Sequence, residues 1–203
     1  MKIKMHKNDL PKSLNLGDSI AIDTETMGLN HSRDRLCLIQ LSSGKNICHL
    51  VQIKNNKIRP NNLLKILKNK KILKIFHYAR FDVGILKYTF NINIENIYCT
   101  KIASKLTRTF TENHGYKDLC KELLNIQISK TQQTTDWGSS SLTLAQQKYA
   151  ATDVLYLHKI KNELDKMLIR EKRVKLAQAC FNFIKYRTDL DIAGWSEQDI
   201  FKH

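Results

Sequence analysis

Ser19-Ile20-Ala21-Ile22-Asp23-Thr24-Glu25-Thr26 is the stretch whose reading decides the fold. Alternation of Ile20 and Ile22 with Ala21 and Asp23 predicts a strand. Residues two apart on a strand point the same way, so Asp23 and Glu25 project side by side from one face. They fall at the end of an apolar strand, where the backbone is held rigidly while the side chains stay partly open. Taken alone, two such carboxylates fit a solvated strand end equally well.

Outward from this strand the punctuation is sparse, with two prolines and seven glycines and no linker-like stretch. A polar turn over 30–34 leads to a strand over Arg35–Ser42 carrying Leu36, Leu38, Ile39 and Leu41. A turn at Ser43, Gly44 and Lys45 leads to another over Ile47–Ile53. Pro60 opens a helix over Asn61–Lys68, with Leu63, Leu64 and Leu67 on one face. Ile72–His77 reads as a buried strand and Ala79–Tyr88 as the helix after it. Shorter helices are expected over Lys101–Leu106 and Tyr116–Leu124. Thr143 and Gln146 form a capping-box start for one long amphipathic helix carrying Tyr149, Val154, Leu157, Ile160, Leu164 and Met167. Strands followed by helices predict a mixed central sheet flanked by helices, an α/β or α+β arrangement. At 203 residues and 42% hydrophobic content, a single domain over 1–203 is expected.

Three further residues bear chemistry. Asp82 falls in the first turn of its helix, a place the helix dipole alone favours by about 0.3–1 kcal/mol. Tyr149 and Asp153, four apart, share a helix face beside the small residues Ala150 and Thr152. Four carboxylates and a tyrosine thus lie in three segments that could aim at one point. Hard divalent cations prefer oxygen ligands, and pairs of them are used to cut phosphodiesters. Lys and Arg total 34 against 19 Asp and Glu, a formal charge of +15, which favours a polyanionic partner. The scatter of Lys65, Lys68, Lys70, Lys71 and Lys74 through an Ile- and Asn-rich chain also fits a generally solvated basic surface.

Five cysteines, Cys37, Cys48, Cys99, Cys120 and Cys180, are odd in number and lack C-x-x-C spacing. They predict core thiols in a reducing cytoplasm, with neither a disulfide framework nor a zinc ribbon. The charged start Met1–Asp9 has no apolar signal region, and no apolar run approaches the ~18 residues of a membrane span. No membrane partner is expected.

The segments also carry a resemblance. Ile22-Asp23-Thr24-Glu25-Thr26-Met27-Gly28-Leu29 resembles the first exonuclease motif of the DEDD superfamily. His77-Tyr78-Ala79-Arg80-Phe81-Asp82-Val83-Gly84-Ile85-Leu86 resembles the second. Asp136-Trp137, Leu142-Thr143, Gln146 and Tyr149-Ala150-Ala151-Thr152-Asp153 resemble the third, in its tyrosine variant. The match spans about residues 19–160 and is most similar to the ribonuclease D group. Tyr78 departs from it, standing where many relatives have Asn. Long ribonuclease D proteins continue into C-terminal helical domains for which this chain is expected to have no room. The compact length and the tail from Asp191 to Phe201 look more like nano-RNase C, small exonucleases that finish short oligoribonucleotides and assemble into rings.

The resemblance implies an RNase H-like fold and two Mg²⁺ or Mn²⁺ ions held by Asp23, Glu25, Asp82 and Asp153. Tyr149 would hold the attacking water, and products would be nucleoside 5′-monophosphates released from the 3′ end of short single-stranded RNA. A broader exonuclease acting on structured RNA or DNA, and an inactive nucleic-acid-binding module, are the competing readings. Thr26, Met27, Leu29 and His77 are candidate substrate contacts. Leu29 reads as a wedge against the terminal bases or as a buried turn leucine, and His77 as a contact near the scissile bond or as a satisfied strand-end histidine. Trp137 reads better as a loop anchor than as a stacking platform, while Arg80 and Lys130 are weak phosphate candidates. The apolar tail residues Leu190, Ile192, Trp195, Ile200 and Phe201 are too few for their own core. They are expected to dock, either on a neighbouring copy in a homo-oligomer such as an octameric ring, the reading the resemblance favours, or on their own domain.

Overall fold

The strand that carries Asp23 and Glu25, β2 (Ser19–Thr26), lies inside a six-stranded mixed sheet. The other strands are β1 (Lys2–Lys7), β3 (Leu36–Ser42), β4 (Ile47–Gln52), β5 (Leu73–Phe76) and β6 (Ile97–Cys99), in the order β1-β4-β3-β2-β5-β6. Neighbours of β2 are β3, antiparallel, and β5, parallel. The structure, a computed structural model, describes residues 1–55, 58–128 and 135–202. Every residue of β3 is buried, which explains its nearly continuous apolar run. The β2–β3 register shifts between Glu25 and Thr26, where Thr26 pairs with Leu36 and Cys37 is the extra residue. Such a bulge twists the strand end and re-aims its side chains.

Seven helices among the described residues clothe the sheet: α1 (Asn61–Leu67), α2 (Ala79–Phe90), α3 (Thr100–Thr107), α4 (Tyr116–Leu124), α5 (Leu144–Leu155), α6 (Leu157–Arg170) and α7 (Val174–Leu190). Helix α5 lies across β2, β3 and β4, while α2 reaches β3, β5 and β6. The capping box forms as expected: the Gln146 amide N–H donates to Thr143 Oγ1 and the Thr143 N–H donates to Gln146 Oε1.

One expectation needs correction, and β1 and α7 add to the elements expected. The long helix is two helices, parted at Tyr156. The Tyr116 hydroxyl donates to Thr152 O at 2.6 Å and accepts from the Tyr156 N–H at 3.3 Å, so a side chain enters the helical ladder and divides it. The charged start is β1, an edge strand parallel to β4; its lysines hide the strand pattern and also discourage pairing with another chain. The apolar-basic pattern after residue 170 is a full helix, α7, which buries Ala177, Phe181, Ile184 and Thr188.

After α7, a wide turn over Asp191–Trp195 folds the tail back onto its own domain. Arg80 holds Asp191 with two bonds, at 2.7 and 2.8 Å, and Arg187 donates to Trp195 O and Ser196 O. The tail is therefore fixed by its backbone and its acid, while Trp195 and Phe201 remain 44% and 74% exposed. All five thiols are free, four of them buried. Among the described residues no helix is long and apolar enough to cross a membrane.

Candidate active site

Three elements bring the carboxylates together. Asp23 and Glu25 come from β2, Asp153 from α5 packed over it, and one oxygen from each lies within 4.8 Å of the others. Asp82, buried in the first turn of α2, stands outside that trio, and its Oδ1 accepts from the Thr24 hydroxyl at 2.7 Å. Gln40, the cross-strand partner of Asp23, donates through Nε2 to Asp23 Oδ2 and to Glu25 Oε1, each at 3.3 Å. Asp23, Glu25 and Asp153 line a cleft of about 600 Å³.

Burial and mutual repulsion dominate the electrostatics. Burial pushes Asp23 up to about 7 against a backbone hydrogen bond. Glu25 rises to about 10 through burial and through repulsion from Asp23, Asp153 and Asp82, with the Gln40 amide pulling the other way. Asp82 and Asp153 are raised well above the carboxylate range by burial and by Asp23. Of the described residues lining the cleft, Lys117 is the only lysine or arginine, in a chain of net charge +15. Four carboxylates cannot all ionise there near neutral pH without added positive charge. An oxygen-only donor set that lacks a counter-charge suits hard divalent cations.

Tyr149, one helical turn before Asp153, also faces the cleft. Burial, then Asp153, Glu25 and Asp23, raise its pKa, so its phenol stays protonated. His77, at the end of β5, lines the same cleft. Its Nδ1 lies 2.9 Å from Thr100 Oγ1, whose hydroxyl donates to Phe76 O. Thr100 therefore accepts from the His77 Nδ1–H, leaving Nε2 as the acceptor. Burial and Lys101 hold the His77 pKa down at about 3, so the ring is neutral. The His77 ring also packs on Tyr116, the residue that parts α5 from α6.

Thr26, Met27 and Leu29 all line the cleft. Leu29 is 83% exposed at its rim, which removes the buried-turn reading. The loop is pinned from behind by His31, which approaches Gly84 of α2 so closely that an added Cβ would sit 2.6 Å from its ring. Trp137 is buried against Tyr149 as an anchor. Arg80 is engaged by Asp191 and by Ser196 O of the tail, and it does not line the cleft. Lys130 lies outside the described residues. Tyr78, the departure from the second motif, caps α2 in the left-handed region at φ 65°, ψ 47°. Asn tolerates that conformation better than Tyr does.

Sequence reasoning missed Gln40, Thr24, Tyr116 and Thr100. The signal for Gln40 was present, a lone amide inside an apolar strand, whereas Tyr116 and Thr100 matter through contacts that only the fold creates.

Known proteins resemble this chain along most or all of its length. A family model described as 3′–5′ exonuclease matches residues 3–169. The solved structure of Brucella melitensis NrnC with bound Mg²⁺ is 48% identical, with a TM-score of 0.96 over 100% of both chains. The same protein bound to pGG is 50% identical, with a TM-score of 0.96 over 100% of this chain and 99% of that one. Ribonuclease D of Bartonella henselae is 30% identical over 177 residues, 85% of this chain and 43% of the relative. The chain thus spans less than half the length of that curated relative.

Proposed function

This chain belongs to the 3′–5′ exonuclease family, and we propose that it hydrolyses short single-stranded oligoribonucleotides from the 3′ end to nucleoside 5′-monophosphates. The observation that carries this reading is the convergence of Asp23, Glu25 and Asp153 in a cleft short of positive charge. At about 600 Å³ the cleft falls within the roughly 300–1,000 Å³ that takes small ligands, which suits the end of a strand better than a duplex. Similarity along the whole chain to a protein solved with pGG supports the short substrate. A ribonuclease D-like role on structured RNA has less support, because the similarity covers 43% of that relative.

Asp23, Glu25 and Asp153 would hold one Mg²⁺ or Mn²⁺ ion, and Asp82 with Asp23 a second. Bound there, the ions supply Lewis acidity at the scissile phosphate and the positive charge that lets all four carboxylates ionise. Tyr149, in the tyrosine variant of the site, keeps its proton and orients the attacking water by hydrogen bonding. His77 offers a neutral acceptor to a hydroxyl of the terminal nucleotide, and Met27 and Leu29 press on its base. We further propose that the exposed tail meets a second copy in a homo-oligomeric ring, with eight copies the expected number. The free thiols fit a cytoplasmic setting.

A time course on 5′-labelled dinucleotide, heptamer and duplex substrates, with and without chelator, tests this reading. Chelator-sensitive release of mononucleotides from the two short single strands is expected, with binding that weakens as salt rises. Preference for long structured RNA or duplex DNA over the dinucleotide would move the function to the broader exonuclease.

A further inference from the structure

Gln40 is fully buried in the middle of β3, between Ile39 and Leu41, in a strand where every residue is buried. An amide there is unfavourable unless both of its ends are used. Only one is. Nε2 donates to Asp23 and Glu25, while Oε1 is buried with no partner among the described residues. With both carboxylates ionised, turning the amide over would set its oxygen against two anions, so this is the orientation that suits the ionised pair. A Leu or Met would fill the site without that orphaned oxygen, so packing does not explain the glutamine.

The two carboxylates do explain it. Asp23 and Gln40 are direct cross-strand partners, which places the amide beneath the pair and away from the open cleft. A lysine at this position would also bond both carboxylates, but its charge would compete with a cation. An apolar residue would leave both carboxylates free to rotate. A neutral NH₂ group with two hydrogens holds one oxygen of each and leaves their charge available. We propose that Gln40 is a positioning residue that pre-orients Asp23 and Glu25 for the divalent ion. This rests on the reading of those residues as metal ligands.

The test is Gln40→Met, a near-isosteric change, read by calorimetric titration of Mn²⁺ in the absence of substrate and by thermal unfolding in chelator. Outer hydrogen-bond partners of metal ligands are commonly worth 10- to 100-fold in affinity. The expected result is an Mn²⁺ affinity weaker by about 10- to 100-fold, with a melting temperature in chelator equal to or above wild type. Catalytic loss should be recovered in part at high metal concentration. Should Gln40→Met fail to fold, Gln40→Asn keeps the amide but shortens its reach, and the same loss of affinity is expected. Unchanged affinity in whichever variant folds overturns the proposal, and lowered stability with unchanged affinity would make Gln40 a core residue only. Absence of Mn²⁺ binding to the wild-type chain would overturn the metal reading itself, an outcome distinct from the failure of Gln40 alone.

Discussion

If the four carboxylates are held together for a cation, the metal-free protein should be strained by them, and Glu25→Gln should relieve that strain. Glu25 is raised to about 10 from an ordinary 4.5. Between those values the folded state keeps a proton that the unfolded chain has released, so stability falls as pH rises through the window. At pH 8 the unfolded chain has gained up to (8 − 4.5) × 1.36, or about 5 kcal/mol, relative to acid conditions. Glu25 is part-exposed and its neighbours can move apart, so about 2 kcal/mol is a realistic figure after solvent screening. The amide introduced by Glu25→Gln needs no proton. The variant should therefore unfold later than wild type in chelator at pH 8, by about 4–8 °C at roughly 2–4 °C per kcal/mol. At pH 5 the difference should nearly vanish. Mg²⁺ should raise the melting temperature of wild type more than that of the variant, and the variant should be inactive. Thermal unfolding across pH 5–8, with and without Mg²⁺, measures all of this. A variant less stable than wild type in chelator at pH 8, or a difference independent of pH, would refute the repulsion argument.

Other expectations follow from single residues. Tyr149→Phe should keep the wild-type melting temperature and lose roughly 10²–10⁴-fold in kcat, the span for losing a group that handles the attacking water; near wild-type turnover would make Tyr149 structural. Tyr78→Asn should stabilise the fold by about 0.5–1 kcal/mol in denaturant titration, because relief of a left-handed tyrosine, about 1–2 kcal/mol, outweighs loss of its contact with Lys101 at 4.3 Å. Destabilisation would show that the Lys101 contact dominates. A chain ending at Thr188 should lose mass in light scattering if the exposed Trp195 and Phe201 sit between copies; an unchanged oligomeric mass would remove the tail from the interface.

The parts of this fold that were legible in the sequence are those whose pattern is local. β2 announces itself through alternation, α4 has the bounds expected of it, and the Thr143–Gln146 box forms the bonds its spacing predicts. What stayed hidden depends on tertiary contact. Periodicity carries straight through Tyr156, since Val154, Leu157 and Ile160 are all buried in the core. The break comes from a hydroxyl on α4 that no pattern within 144–170 encodes. Likewise β1 is an edge strand rich in lysine, and its pairing partner β4 is distant in the chain, Lys2 lying opposite Ile47. The candidate site divides along the same line. Asp23 and Glu25 were adjacent by strand geometry, and Tyr149 and Asp153 by helix geometry. Placing the two pairs against each other required α5 to cross β2. Asp82 shows the limit most clearly: its motif sets it beside the others, yet in the fold its Oδ1 accepts from Thr24, the residue between Asp23 and Glu25. Asp82 thus joins the pair from α2 while Asp153 joins it from α5. Carboxylates thus reach one strand end from two separate helices, an arrangement that no single segment of the sequence encodes.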